Sequence, residues 1–199
     1  MTSNGRAAAQ GGLITVLGQA VRLAIQLFGI VVISRLLLPE DVGLVAMVAV
    51  FIMLGSLIRD FGVPTAALQA EVLSTQQSSN LFWINGGLGL AGAVLVSALT
   101  PVMVAFYGEP RLWGIAPAMA ISLVLGGMSA QYQVNLARRG KFAALAASDI
   151  LAQAAGLTAG VASAVGGAGY WALVIQAIAT SLFLLMAYAL AARWIPLAY

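Results

Sequence analysis

Histidine and cysteine are both absent from this 199-residue chain. Their absence removes Ser-His-Asp and Cys-His catalysis, His/Cys zinc sites, haem ligation and disulfides together. It also leaves the redox compartment unreadable. Charge is nearly as scarce: nine Lys/Arg and six Asp/Glu make up 8% of the residues, against about 25% in a typical soluble domain. So few charges cannot solvate a globular surface. The single lysine, Lys141, is followed by Phe142, so there is no phosphate-cradling G-x-x-x-x-G-K-[ST] loop. ATP-driven work within the chain is not expected, and no cofactor or metal site is expected either. A net charge of +3 gives little support for nucleic-acid binding, and the basic residues read better as signals of membrane orientation. The one adjacent carboxylate pair, Glu40-Asp41, follows Pro39. It reads as helix-start acids at a positive dipole end rather than as an acid/base dyad.

Apolar residues are what the chain has instead, at 62% of the total. At about 20 residues per membrane-spanning helix, that allows roughly six spans. Six apolar stretches follow one another, about 11–37, 42–59, 81–106, 112–136, 142–166 and 170–193. They predict an all-α integral membrane protein, a single six-helix bundle over 1–199. The runs lack the polar/apolar alternation a barrel requires. Turn residues mark their ends: Pro39-Glu40-Asp41, Gly108-Glu109-Pro110-Arg111, Arg138-Arg139-Gly140-Lys141 and Gly166-Gly167. The longest polar segment, Gly62 to Asn80, has room for a short surface helix. Aromatic pairs at span ends, such as Phe82-Trp83 and Tyr170-Trp171, suit the headgroup level. The first apolar run is interrupted by Arg22 and lacks a small-residue cleavage pattern, so it does not read as a cleavable signal peptide. With the N-terminus inside, Arg6, Arg59, Arg138, Arg139, Lys141 and Arg193 share one side and only Arg35 and Arg111 the other. The positive-inside bias then places both termini in the cytoplasm.

Against this background Arg22 stands out, about 13 Å into the first span at 1.5 Å per residue. An arginine there costs about 2.5–3.5 kcal/mol on insertion scales, which argues against a lipid-facing position. Thr15, Gln19, Arg22, Gln26 and Gly29 step by four, three, four and three along one helical face. Two readings stand: the stripe lines a functional cavity, or Arg22 is a buried structural partner to a carboxylate or carbonyl. The fifth span carries a comparable stripe, Asp149, Gln153, Gly156, Gly160 and Ser163. Its Gly156-x-x-x-Gly160 equally suits close helix packing, and Asp149 is either solvated near the span's end or a partner of Arg22. Asn85, Gln131, Gln133, Asn135 and Gln176 add polar groups that read individually as interhelical hydrogen-bonding glue. Gly87-x-Gly89-x-x-Gly92 fits a dinucleotide fingerprint in letters only. No strand precedes it, so its glycines read as helix-packing residues.

Several segments in order resemble the bacterial polysaccharide and oligosaccharide flippases, the polysaccharide-transporter branch of the multidrug/oligosaccharidyl-lipid/polysaccharide exporter superfamily. They are Gly18-Gln19 with Arg22 and Gln26, the run Ser34 to Met47 containing Leu38-Pro39-Glu40-Asp41-Val42-Gly43, Asp60-Phe61-Gly62, Phe82-Trp83-Ile84-Asn85, Ala105 to Pro110, Leu136 to Arg139 with Phe142, and Gly169 to Val174. The likeness runs from about residue 13 to 196. It implies a carrier of undecaprenyl-diphosphate-linked oligosaccharide in the bacterial inner membrane, built from two helical bundles that alternate access. Six spans correspond to one lobe of such a two-lobe exporter, so a second half or a homodimer is implied. On that reading Arg22 binds the diphosphate, Gln19, Gln26 and Asn85 meet sugar hydroxyls, and Asp149, Asp60 and Gln153 are ion-coupling candidates. No bond is made or broken. The alternatives are an inactive or assembly-assisting half-protein and a membrane glycosyltransferase or polymerase. The last is disfavoured because the outward loops are only a few residues long.

Overall fold

In the computed structural model the backbone is described for residues 2–60 and 74–197, and side chains for residues 12, 15–57, 74 and 76–197. Seven helices account for most of it: α1 (Thr2–Leu36), α2 (Pro39–Asp60), α3 (Thr75–Ala98), α4 (Thr100–Tyr107), α5 (Leu112–Arg138), α6 (Phe142–Val165) and α7 (Trp171–Ala192). Helix α4 continues α3 after an interruption at Leu99, because Pro101 offers no N–H to the preceding turn. Counted as membrane crossings, α3 and α4 are one, giving six helical segments long and apolar enough to span a bilayer among the described residues. The protein is a multi-pass membrane protein.

Helix ends are set locally. At α3, Ser74 Oγ accepts from the Gln77 N–H and Gln77 Oε1 accepts from the Ser74 N–H, a reciprocal capping box. The polar run Ser74–Asn80 therefore forms the opening turns of a crossing helix rather than a separate surface helix; residues 61–73 lie outside the described residues. Gly108 stops α4 in a left-handed conformation at φ 69°, and Gly140, at φ 65°, turns the chain between α5 and α6.

Neighbours in space are α1 with α6, α6 with α7, α7 with α5, α5 with α3, and α3 with α2. Although consecutive, α1 and α2 make no extended contact, so the bundle is open between them. Among the described residues the largest buried cluster lies mainly among α2, α3, α4 and α5, where Leu44, Val48, Val96, Met103, Leu112, Ile115 and Leu123 are buried. Glycines bring α3 and α5 together. A Cβ on Gly89 would lie 2.5 Å from the Leu123 carbonyl oxygen, and one on Gly127 would lie 2.3 Å from that of Asn85. The G-x-G-x-x-G letters are thus in part a packing seam.

One end of the bundle carries Arg138, Arg139, Lys141 and Arg193 and is called the basic end below. Phe82, Tyr132 and Trp194 meet there edge to face, with centroids 5.6–6.4 Å apart. The segment after α7 folds back over α3: Trp83 Nε1 donates to the Leu197 carbonyl, and the Leu197 N–H donates to Ser79 Oγ. At the opposite end Arg111 bonds Glu109 and Glu40, tying the α4–α5 corner to the start of α2. The Arg111 guanidinium is held above its ordinary pKa, first by hydrogen bonding to Glu40 and then to Glu109.

Candidate functional site

The polar faces of α1 and α6 meet. A Cβ on Gly18 would come within 2.7 Å of Ala146 Cβ, and one on Gly29 within 2.9 Å of Leu157 Cδ1. Both pairs advance in the same direction, so the helices run parallel, with small residues at two levels allowing close approach. Between those levels Arg22 Nη1 lies 3.9 Å from Asp149 Oδ2. Asp149 Oδ1 accepts a 2.5 Å hydrogen bond from the Tyr188 hydroxyl of α7. Three helices thus contribute a guanidinium, a carboxylate and a phenol to one cluster.

Its asymmetry matters. Tyr188 is 2% exposed and the Asp149 side chain 18%, whereas the Arg22 side chain is 46% exposed. At 3.9 Å the ion pair is Coulombic rather than hydrogen-bonded, so the donors of Arg22 are not consumed by Asp149. Asp149 lies seven residues from the start of α6, and Arg22 seven from the start of the apolar window at Thr15. At 1.5 Å per residue that is about 10 Å of depth, on the basic side of the midplane. The carboxylate partner considered from the sequence is present, and cavity space lies beside it.

That space takes two forms. Toward the basic end a cavity of about 200 Å³ is lined by Thr15, Gly18, Gln19, Gln133, Asp149 and Tyr188, with Phe142, Leu145 and Ala146. Further along α1 a second, of about 260 Å³, is lined by Gln26, Gly29, Ser34, Gln153 and Gln176, with apolar walls from Ile30, Ile33, Val42 and Leu173. Gln19 and Gln26 each face one cavity, and Arg22 stands between them on the same helical face. Gln176 Oε1 is buried without a hydrogen-bond partner among the described residues. Both cavities are open rather than sealed, in keeping with the separation of α1 from α2.

The residues singled out from the sequence are only partly brought together. Gln19, Arg22, Gln26, Asp149 and Gln153 share the α1–α6 seam. Asn85 does not line either cavity; it is 1% exposed, beside Gly127 on the α3–α5 seam, with neither side-chain polar atom hydrogen-bonded among the described residues. Asp60 ends α2, and its side chain lies outside the described residues. The α6 stripe divides as well. A Cβ on Gly156 would lie 1.8 Å from Thr180 Oγ1, and one on Gly160 2.8 Å from Gln176 Cβ, so both glycines pack against α7 rather than α1. Tyr188 was missed. Its signal was a phenol about two turns beyond Thr180 and about three beyond Gln176, on the same face of a mostly apolar helix. Among the described residues no group of three or more Asp, Glu, His or Cys side chains is arranged to hold a metal ion.

Comparison with known proteins identifies the lineage. A family model described as "Polysaccharide biosynthesis protein" matches residues 32–199. The chain is 25% identical over 147 residues to the lipopolysaccharide biosynthesis protein WzxC of Escherichia coli (strain K12), which covers 74% of this chain and 29% of that protein. It is 28% identical over 94 residues to the teichuronic acid biosynthesis protein TuaB of Bacillus subtilis (strain 168), covering 47% of this chain and 20% of that protein. The chain therefore spans less than a third of the length of either relative. No solved structure matches significantly. With a family model matched over most of its length and six membrane-spanning helical segments, this chain belongs to the polysaccharide biosynthesis protein family.

Proposed function

We propose that this chain forms one helical bundle of a carrier that flips undecaprenyl-diphosphate-linked oligosaccharide across the bacterial inner membrane by alternating access. The coarser role, in polysaccharide synthesis or export, rests on the family and on the named relatives. The finer one rests on a single observation: a part-exposed arginine held on a continuous polar face shared by two parallel helices, with open cavities on either side of it along α1.

The chemistry follows from that placement. A diphosphate resists entering a low-dielectric layer, and a guanidinium offers it charge-assisted, bidentate hydrogen bonds. Arg22 meets this need because its link to Asp149 is loose enough to be exchanged for phosphate oxygens. Gln19 and Gln26 present neutral, directional groups suited to sugar hydroxyls, with Gln153 and Gln176 across the second cavity. Asn85, buried on another seam, serves the sugar only in a state where α3 and α5 separate. Asp149 is the favoured ion-coupling candidate because it touches both Arg22 and Tyr188: an ion held at its carboxylate would compete with Arg22 and release the guanidinium to the passenger. Asp60 remains a second ion-coupling candidate and Gln153 a neutral neighbour. The basic end faces the cytoplasm by the bias of its charges, so both termini are cytoplasmic. A second half or a second copy of the chain closes the open side between α1 and α2. No covalent bond changes, so the chain acts as a transporter rather than an enzyme.

Binding tests this directly. The chain in lipid nanodiscs is titrated with undecaprenyl-diphosphate-linked sugar and, separately, with uncharged undecaprenol. The diphosphate lipid should bind more tightly, and Arg22→Gln should weaken it by about ten- to a hundredfold, the range for loss of a hydrogen bond to a charged group. Equal binding of the two lipids, or undiminished binding by Arg22→Gln, removes Arg22 from the mechanism. Sugar transfer by the purified chain would favour the glycosyltransferase reading instead.

A further inference from the structure

Away from the α1–α6 seam, the outer side of α3 and α5 carries two adjoining hollows of opposite character. At the basic end a cavity of about 250 Å³ is lined by Ser78, Gln131, Asn135, Arg138 and Arg139. Next to it an apolar groove of about 280 Å³ runs along the bundle between Trp83, Gly86, Gly87 and Leu90 of α3 and Val124 and Met128 of α5. The two are in line. Ser78 is one turn from Phe82, which lines the groove, and Gln131 is one turn from Met128, so each helix carries one face from the cavity into the groove.

We infer that these hollows together form a binding site for an anionic glycerophospholipid with a hydroxyl-bearing headgroup, distinct from the passenger's path. Each part of the site asks for a different part of such a lipid. Arg138 and Arg139 supply cationic forks to a phosphodiester, and basic pockets between membrane helices are a recurring means of holding anionic headgroups. Gln131 is 1% exposed, and its Oε1, like Asn135 Oδ1, is a buried acceptor with no hydrogen-bond partner among the described residues. A buried acceptor needs a donor, which a headgroup hydroxyl provides and a choline does not. Below them, the absence of a Cβ at Gly86 and Gly87 opens the groove to an acyl chain, and nothing lies within 4 Å of where a Gly87 Cβ would be. Trp83 and Trp194 mark the interfacial level between headgroup and chain. Length agrees too: Trp83 to Leu90 covers about 10 Å of helix, the reach of several methylene groups.

The experiment uses the full chain in detergent, with lipid retention read by native mass spectrometry at matched concentrations of phosphatidylglycerol and phosphatidylcholine. Phosphatidylglycerol should be retained preferentially. Arg138→Gln with Arg139→Gln should reduce that preference by about fivefold per arginine. Gly87→Leu leaves every charge in place and fills only the groove, so it should also weaken phosphatidylglycerol retention while the protein stays monodisperse. Equal retention of the two lipids, or a preference unchanged by the double substitution, overturns the site. Inorganic phosphate distinguishes a free anion from a lipid: no competition at millimolar concentration supports the lipid, and full competition overturns it. Arg22→Gln leaves this preference intact, so failure of the passenger site and failure of this one are separately visible.

Discussion

Substituting Gly127 by alanine probes the α3–α5 seam on which the rest of the bundle is assembled. The new Cβ would lie 2.3 Å from the Asn85 carbonyl oxygen and 3.3 Å from Gly89 Cα, where ordinary contact begins at 3.4 Å. Both obstacles belong to the backbone, so no rotamer change relieves them. The helices must separate by about 1 Å, and a gap of that size forfeits a quarter to a half of each dispersion contact along the seam. Gly89, which faces the Leu123 carbonyl at 2.5 Å, would be pulled out of register at the same time. The cost should approach about 3 kcal/mol, the upper part of the range for overpacking a core, or about 6–12 °C in midpoint for a chain of this size. Thermal unfolding in detergent, followed by tryptophan fluorescence, measures it. Gly87→Ala is the control: its Cβ meets nothing within 4 Å, and helix propensity alone favours alanine by up to about 1 kcal/mol. Equal midpoints for Gly127→Ala and Gly87→Ala would refute the close backbone approach.

The Arg22, Asp149 and Tyr188 cluster should show unequal couplings in double-mutant cycles. Asp149 with Tyr188 is expected at about 1.5–3 kcal/mol, as for a buried hydrogen bond to a charged group, and Arg22 with Asp149 below about 1 kcal/mol, because Arg22 is half exposed and 3.9 Å away. The reverse order would mean that Arg22 is locked rather than exchangeable. At the opposite end, Glu40→Gln should weaken the tie to Arg111 in low salt, with the difference vanishing in 1 M salt as screening shortens to about 3 Å; a salt-independent loss would contradict the exposed geometry. Since the raised Arg111 pKa lies above any working pH, this tie should contribute equally at pH 6 and pH 9. A raised pKa means this stabilisation is lost only as pH rises through it, far above pH 9, so a fall through Arg111 already between pH 6 and pH 9 would contradict the assignment.

How far the sequence carries the account depends on the kind of feature. Crossings were legible because apolar length and terminal aromatics answer to bilayer thickness, which is the same for every chain. The α1 stripe was legible because a 3.6-residue period reveals which residues share a face. What faces that stripe was not, since periodicity names no partner. Asp149 was one of several polar residues at comparable positions, and only the meeting of Gly18 with Ala146 selects it. Asn85 shows the converse: its letters suited a sugar ligand as well as Arg22's neighbours did, but the glycines at 89 and 127 draw it into a different seam. Gly156 and Gly160 share a stripe with Asp149 and face α7, the helix that also brings Tyr188 to that carboxylate, so the stripe lies along the groove between α1 and α7 and periodicity alone does not say which of the two it meets. The fold-back of Leu197 over Ser79 and Trp83 depends on a left-handed Arg193, at φ 48°, and no residue preference signals that turn.

Because the chain contains no cysteine, single cysteines can report directly on whether the polar face of α1 lines a water-filled cleft. Gln19→Cys, Arg22→Cys and Gln26→Cys sample the stripe; Leu17→Cys and Val31→Cys sample exposed apolar positions on the other side of the same helix. In membranes, a charged impermeant thiol reagent should modify the three stripe positions at least about tenfold faster than the two apolar ones, since the reactive thiolate forms only where water reaches it. Added undecaprenyl-diphosphate-linked sugar should protect the stripe positions. Equal rates on both faces, or faster modification at Leu17→Cys and Val31→Cys, would contradict the cleft.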